Sequence, residues 1–439
     1  MRIANSLWGR GGRLAPWKAG AAGLAILGTA GAMMAYGAPA HASTPASSRS
    51  ASTSSASVSA SREGALVSAT LLQRLSAASV RAELAAARLG PGDPALGGSE
   101  VRYGVDAYRV TYRTVDSNGR PVVASGLVAL PASGPASLPV VSYAHGTTAT
   151  KADVPSSFGL GPDHAVEGRW SAELFASAGF AVTEPDYVGM GSGTGPIEYL
   201  IAKSEASASA DLLTAARTLA SSRHDGLQRG VLVTGFSEGG QAAMALGDDL
   251  QSSHGYFRLR ALTPVSGPYE LSTAELPGLF NGQVSPAVEP YYVGYVLTTW
   301  NPLYHLYAQP SDAFRAPYAS KMATLYNGSQ QDNAVVAALP PTLRQLLTPR
   351  YYALLQHRTA KVTRAFAAND TCGWTPRVPV RMFAASGDTT VTPADAAQCA
   401  ATIRSHGGNV TLVQLGNVSH DVSDFLALHQ IVRWFLTLG

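Results

Sequence analysis

The amino-acid sequence predicts an α/β fold with a mostly parallel central sheet, helices on both faces and an inserted helical cap. Three observations predict it. Short apolar runs typical of buried strands alternate with helical segments from residue 138 onward. One long stretch, 269–376, interrupts that alternation. The chain has 439 residues, of which 46% are hydrophobic, so a large core can form. Strands that alternate with helices need crossover connections and therefore run parallel.

The alternation follows a predicted β-hairpin. Two runs of alternating polarity, 107–115 and 121–130, flank Asn118-Gly119, a dipeptide that favours a tight reversal with positive φ. The predicted strands after the hairpin are 138–144, 180–185, 230–235, 259–265, 378–386 and 410–415. The predicted helices lie at 166–178, within 196–222, after residue 237, at 393–405 and at 423–438.

The interruption at 269–376 predicts a separate structural unit. About a hundred residues between two consecutive sheet strands far exceeds an ordinary loop. Its middle, 291–308, reads YYVGYVLTTWNPLYHLYA and is rich in aromatic residues. We expect a mainly helical cap over the carboxyl edge of the sheet.

The N-terminal segment has the pattern of a secretory signal peptide. Four basic residues and the uncharged run Ala19–Ala40 precede Ala40-His41-Ala42, a cleavage pattern that ends before Ser43. We predict a signal peptide at 1–42 and a secreted or periplasmic product, with an uncleaved anchor as the alternative.

Two further segments precede the hairpin. A Ser/Ala-rich linker is predicted at 43–62. The catalytic domain is predicted at 63–439, opening with an amphipathic helix at 63–89 whose apolar residues recur at helical spacing.

The charge and the cysteine content of the chain indicate which ligands and covalent links the sequence supports. Without residues 1–42 the chain keeps 28 basic and 29 acidic residues, which gives no reason to expect a nucleic-acid partner. Its two cysteines, Cys372 and Cys399, favour one disulfide in an exported protein, with two buried thiols as the alternative. Two isolated cysteines do not predict a metal site, and no His-Glu-x-x-His motif occurs.

The stretch 231–244, VLVTGFSEGGQAAM, predicts a nucleophile. A strand-like run leads into Gly-Phe-Ser-Glu-Gly and then into an alanine-rich helix, and Gly235 and Gly239 remove side chains that would clash in a sharp turn. Such a turn lifts the hydroxyl of Ser237 above the sheet. A glycine-rich structural turn is the alternative.

A serine nucleophile needs a base and an acid to orient that base. Asp388 ends one later strand and His420 follows the next, in the order acid then histidine that this chemistry takes on open α/β sheets. Asp395 is the nearest substitute acid. The alternatives are that Asp388 is a helix-capping turn residue and that His420 is a solvent-exposed loop histidine.

Two backbone amides must also stabilise the oxyanion of an acyl-transfer intermediate. One is predicted to be the amide of Glu238, directly after the nucleophile. The other is predicted in the His145-Gly146-Thr147 loop after strand 138–144, from Gly146 or Thr147.

These motifs together resemble the α/β-hydrolase superfamily, and more narrowly the secretory lipases and related exported bacterial esterases. The resemblance rests on YAHGTT at 143–148, GFAVTEPDYVGMG at 179–191, GFSEGGQ at 235–241, SGDTTVTP at 386–393 and SHD at 419–421. It implies triad roles for Ser237, Asp388 and His420, and a cap that holds the acyl group. Glu238 departs from the pattern, because the strand-to-helix turn that carries the nucleophile, called the elbow, often has a neutral residue at this position.

The sequence therefore predicts a secreted carboxylic ester hydrolase, an esterase or lipase, that needs no cofactor. Its partners are a small-molecule ester or lipid substrate and, as an open point, a lipid interface. A serine peptidase of the same fold is the first alternative, although the sequence shows no acidic cluster in the cap to anchor a peptide terminus. A non-catalytic binding member of the fold is the second. The oligomeric state stays open.

Overall fold

The computed structural model describes residues 63–90, 93–159 and 166–438. The predicted signal peptide at 1–42 and the linker at 43–62 lie outside these described residues.

The central feature is one mixed sheet. The described residues form nine strands in the spatial order β1-β2-β3-β5-β4-β6-β7-β8-β9. They are β1 (Leu66–Leu75), β2 (Gly104–Val115), β3 (Pro121–Ala132), β4 (Ser137–Ala144), β5 (Ala181–Pro185), β6 (Gly226–Phe236), β7 (Arg258–Val265), β8 (Val380–Ala384) and β9 (Val410–Gln414). The three pairings at the β1 end are antiparallel, and every pairing from β5 to β9 is parallel. The predicted mostly parallel sheet is confirmed.

The described residues form fourteen α-helices. Six pack on the sheet: α1 (Ala77–Ala86), α2 (Val166–Ala178), α3 (Ala202–Ser222), α4 (Glu238–Ser252), α13 (Pro393–Ser405) and α14 (His420–Leu438). Eight lie between β7 and β8: α5 (Leu276–Asn281), α6 (Glu289–Tyr304), α7 (Pro310–Ala313), α8 (Met322–Leu325), α9 (Asp332–Ala338), α10 (Leu343–Leu346), α11 (Pro349–Gln356) and α12 (Ala360–Ala367). Among the helices described, none has the length and apolar character needed to cross a bilayer.

Two apolar layers cover the sheet, one on each face. Strand side chains alternate between them because successive residues of a strand point to opposite faces. On β6, Val231 and Val233 pack with α3, α4 and α13. Their neighbour Leu232 packs on the other face with α1, α2 and α14. The sheet is therefore buried on both sides, as strands with nearly continuous apolar sequence require.

The eight helices between β7 and β8 form the cap with its own apolar core. Trp300, Tyr295 and Phe314 are fully buried there. Tyr295 stacks between Tyr199 of the main domain and Tyr326 of the cap, with ring centroids 4.1 and 4.8 Å away. Much of the aromatic richness of 291–308 is therefore used in packing.

The N-terminal helix predicted at 63–89 is wrong in its first half. Residues Leu66–Leu75 form β1, which pairs antiparallel with β2, and only Ala77–Ala86 is helical. Helical spacing of Ala and Leu is a weak signal, and pairing with an available sheet edge outweighs it. Ser76 marks the change, because its side chain accepts the amide of Ser79 and caps α1.

The hairpin of β2 and β3 turns where Asn118-Gly119 predicts it. The carboxylate of Asp116 accepts the amides of Asn118 and Arg120, at 2.9 and 2.8 Å. Gly119 has φ +76°, a conformation that glycine adopts without strain.

A disulfide joins Cys372 to Cys399. Cys372 follows the last cap helix, and Cys399 lies in α13, and both are fully buried in the core. The bond therefore ties the point where the chain leaves the cap to a helix packed on the sheet.

Loss of this disulfide should lower stability. Closing a loop across a sequence separation of 27 residues stabilises the folded state by about 3 to 4 kcal/mol through loop entropy. We expect the Cys372→Ser/Cys399→Ser variant to unfold at lower denaturant than the oxidised protein. Thiol reduction should destabilise the wild type and leave the variant unchanged, and equal stability of both proteins would contradict the expectation.

Candidate active site

Ser237 lies in a strained turn between β6 and α4. Its φ of +56° and ψ of −122° lie outside the regions that non-glycine residues ordinarily occupy. A Cβ on Gly239 would lie 1.8 Å from the carbonyl oxygen of Ala144, and one on Gly235 would lie 2.2 Å from that of Gly239. Both positions therefore require glycine, for the reason the sequence suggests. The turn presents the Ser237 hydroxyl at the carboxyl end of the sheet.

His420 and Asp388 meet Ser237 although they are distant in sequence. The Nε2 of His420 lies 2.9 Å from the Ser237 hydroxyl oxygen, and its Nδ1 lies 2.6 Å from Asp388 Oδ2. All three side chains are buried. Asp388 is oriented by the amides of Thr390 and Val391, which donate to its Oδ1 at 2.8 and 3.0 Å. His420 is the first residue of α14, so the last helix begins three residues earlier than predicted.

The environment of His420 favours its protonated form. Burial alone would lower its pKa, but the charge of Asp388 and its hydrogen bond outweigh burial, so the pKa of His420 lies above 6.5. A base of this kind takes a proton readily from a bound hydroxyl group.

Asp395, the substitute acid, lies elsewhere. Its carboxylate accepts the amide of Glu270 at 3.0 Å and shares a hydrogen bond with the Glu275 carboxyl group. Burial raises the pKa of Asp395 well above its ordinary value, and the nearby charge of Glu275 raises it further. The residue therefore joins α13 to the start of the cap, and Asp388 alone orients His420.

Two backbone amides near Ser237 are without a hydrogen-bond acceptor. Among the hydrogen bonds of the described residues, none has the amide of Thr147 or of Glu238 as its donor. Glu238 begins α4, so its amide also lies at the positive end of a helix dipole. Thr147, Ser237 and Glu238 line the same pocket. The amides of Thr147 and Glu238 therefore remain the candidates for oxyanion donors.

The amide of Gly146, one of the two predicted for this loop, already has a hydrogen-bond acceptor. It donates to Glu167 Oε1 at 2.8 Å, and the same oxygen accepts the Tyr143 hydroxyl at 2.8 Å. A donor already bound to a buried carboxyl group is not free for a substrate. The neighbouring His145 is structural: its Nδ1 donates to the Gly146 carbonyl at 2.7 Å, and its ring stacks on Tyr187.

A small pocket of about 80 Å³ lies beside Ser237. This volume is below the usual range of small-molecule sites, about 300 to 1,000 Å³. Its apolar lining comes largely from the cap, including Leu271, Leu276, Leu279, Val284, Val293 and Val296. The pocket therefore suits an uncharged, largely apolar group.

Three glutamates also line the pocket: Glu238, which the sequence analysis places directly after the nucleophile, and Glu275 and Glu289, which it missed. Burial raises the pKa of Glu238 and of Glu275 to about 8 each. Glu238 shares a hydrogen bond with the carboxyl group of Glu205, which is fully buried in α3. Glu205 lies on the buried face of α3, one turn before Ala208. An acidic residue on the apolar face of a helix is unusual, so the sequence itself could have identified Glu205.

Among the described residues, no group of three or more histidines, cysteines, aspartates or glutamates is arranged to hold a metal ion.

The fold recurs in solved structures. No protein-family model and no curated protein matches the chain. A mutant of the cell wall degrading esterase LipA from Xanthomonas oryzae is similar over 86% of this chain and 99% of its own, at 24% identity and a TM-score of 0.77. Closed Candida antarctica lipase A is similar over 86% of this chain and 82% of its own, at 14% identity and a TM-score of 0.63.

The chain has the α/β-hydrolase fold. At these identities the likeness establishes the fold alone. Within this α/β-hydrolase fold, the site residues come from segments that follow β4, β6, β8 and β9. They converge because the carboxyl ends of parallel strands share one edge of the sheet.

The opposite environments of two histidines give a direct test of the site electrostatics. In protein with ¹³C-labelled histidine, we expect NMR titration to give His420 a pKa above 6.5 and His145 a pKa of about 4. Asp388→Asn should lower the pKa of His420, because burial is then opposed only by the smaller effects of Asp421 and Glu275. His145 is the internal control and should not move. An unchanged pKa of His420 in the variant would show that Asp388 does not set it.

Proposed function

We propose that the protein is an exported serine carboxylic ester hydrolase, an esterase or lipase. The observation that carries the proposal is the hydrogen-bonded chain of Ser237, His420 and Asp388 beside an apolar pocket and two free amides. We assign residues 63–439 to the catalytic domain, with the cap at about 269–376, and residues 1–42 to an export signal. The disulfide suits an oxidising compartment.

The reaction follows from the positions of these groups. Nε2 of His420 takes the proton of Ser237 as the hydroxyl oxygen attacks the ester carbonyl carbon. The carbonyl oxygen becomes an oxyanion, which the amides of Thr147 and Glu238 stabilise. Protonated His420 then gives its proton to the departing alcohol, which leaves an ester on Ser237. Water attacks this acyl-enzyme, giving its proton to His420, and Ser237 recovers its hydrogen as the carboxylic acid is released.

The pocket lining supports an acyl chain or an aromatic acid as the group held beside Ser237. Burying such a group gains roughly 25 cal/mol for each Å² of apolar surface removed from water. A permanently charged acid would lose its hydration against leucine and valine side chains.

A serine peptidase is the second candidate, and the specific observation that favours it is the set of pocket glutamates. Glu275 and Glu289 are acidic groups of the cap that the sequence analysis did not identify, and Glu238 of the main domain lines the same pocket. Binding of a substrate ammonium group would favour their ionised forms.

The nucleophile is tested by substitution and labelling. We expect protein lacking residues 1–42 to release p-nitrophenol from short or medium acyl esters and to be labelled by a fluorophosphonate at Ser237. Ser237→Ala should lose at least about three orders of magnitude in kcat and all labelling, because the attacking oxygen is gone. A Ser419→Ala variant, which changes a serine outside the hydrogen-bonded chain, is the control. Full activity in Ser237→Ala would contradict the mechanism.

The substrate class is tested by comparing esters with amides. A series of acyl chain lengths, measured with and without an oil interface, separates an esterase from a lipase. We expect cleavage of these esters and little cleavage of Pro-p-nitroanilide. The reverse preference would favour the peptidase.

A further inference from the structure

The loop after β4 that carries Thr147 is anchored on both sides by acidic side chains. On one side, Gly146 donates its amide to Glu167. On the other, Thr148 Oγ1 and the amide of Ala149 donate to the two carboxylate oxygens of Asp332, at 2.9 and 2.7 Å. Thr147 lies between these anchors.

Asp332 belongs to the cap. It is the first residue of α9, and the hydroxyl of Tyr291 on α6 donates to its Oδ1 at 2.8 Å. Tyr291 is buried in the cap core. The carboxylate of Asp332 thus accepts three hydrogen bonds, one from the cap and two from the loop, and it is held in place while it holds the loop.

The contact extends beyond this one side chain. Thr150 Oγ1 donates to the carbonyl of Gln330 at 2.7 Å, and the amide of Lys151 donates to the carbonyl of Gly328 at 2.9 Å. The cap segment 328–332 therefore runs along the loop segment 148–151.

We propose that Asp332 is a positioning residue for the oxyanion hole: through Thr148 and Ala149, this cap residue fixes the amide of Thr147 beside Ser237. The proposal rests on the proposed hydrolase function. An oxyanion donor stabilises the transition state only if it is already aimed at the developing charge, since reorienting it during the reaction costs free energy. The cap then contributes to the chemical step as well as to the pocket.

The position of Asp332 predicts which kinetic constant changes. Asp332 is absent from the residues that line the described pocket, so we expect it to make no contact with a substrate bound there. A variant should therefore lose transition-state stabilisation and keep ground-state binding. This lowers kcat and leaves KM nearly unchanged.

The test compares two aspartates that lie in the first turn of cap helices and that each accept a backbone amide. Asp332→Ala should lower kcat by roughly 10 to 100-fold with KM within about threefold. A misplaced oxyanion donor loses only part of the transition-state stabilisation that is lost when the donor is deleted. Asp312→Ala is the matched control: Asp312 accepts the amide of Gln309 on α7 and is exposed, so kcat should not change.

Two conservative variants separate positioning from folding. Asp332→Asn keeps one oxygen that can accept the Ala149 amide and should retain more activity than Asp332→Ala. Thr148→Val removes one donor while keeping the shape of the side chain and should lower kcat alone. An alkyl trifluoromethyl ketone, which forms a tetrahedral oxyanion on serine, should bind the Asp332 and Thr148 variants more weakly in proportion to their loss of kcat/KM.

The outcomes are distinct. If Asp332→Asn and Thr148→Val, folded as judged by melting temperature, keep wild-type kcat and inhibitor affinity, the proposal is wrong while the hydrolase function stands. A rise in KM at constant kcat would also overturn it, since Asp332 would then act in substrate binding. Wild-type protein that cleaves no ester and takes no fluorophosphonate label would overturn the hydrolase function, and this proposal with it.

Discussion

The close approach of the elbow to the end of β4 is the constraint on which the site depends. The backbone at Gly239 touches the carbonyl of Ala144 so closely that no side chain fits between them. This contact places the first turn of α4 next to the loop after β4, and Glu238 and Thr147 line the same pocket. Ser237, in the same turn, has positive φ, and the strands paired on both sides of β6 support this strained backbone.

Buried carboxyl groups hold the parts around this contact together. Glu167 accepts from the loop at Gly146, Glu205 shares a hydrogen bond with Glu238, and Asp395 shares one with Glu275. A buried carboxylate without a partner would be costly, so each of these groups is hydrogen-bonded or keeps its proton. Burial raises the pKa of Glu167 to about 7, which places its proton within the physiological range. The site is thus connected by short-range hydrogen bonds whose strength depends on protonation.

The sequence predicts the parts of this structure that are local. Strand and helix periodicity locate the parallel strands, the hairpin and α2 and α13, because each has an apolar pattern that matches its own burial. Ser237, Asp388 and His420 are found from strand ends and chain order, since the topology of a parallel sheet converts order along the chain into proximity. The geometry brings the three together at hydrogen-bonding distance.

What the sequence could not predict depends on contacts between distant segments. β1 is a strand because it pairs with the free edge of β2, and the residues Leu66–Leu75 alone do not indicate this pairing. Gly146 is lost as a donor because Glu167, on another element, takes its amide. The pairing of Asp395 with Glu275 joins residues far apart in sequence, and neither has a distinctive local motif.

Both ends of the cap are fastened to the same helix. At its start, Glu270 and Glu275 bond to Asp395 of α13, and at its end Cys372 is covalently joined to Cys399 of α13. The two ends of the cap are therefore tied to one helix that packs on the sheet. The residues between these ends, which supply most of the pocket lining, are carried on a support that is fixed relative to the strand ends.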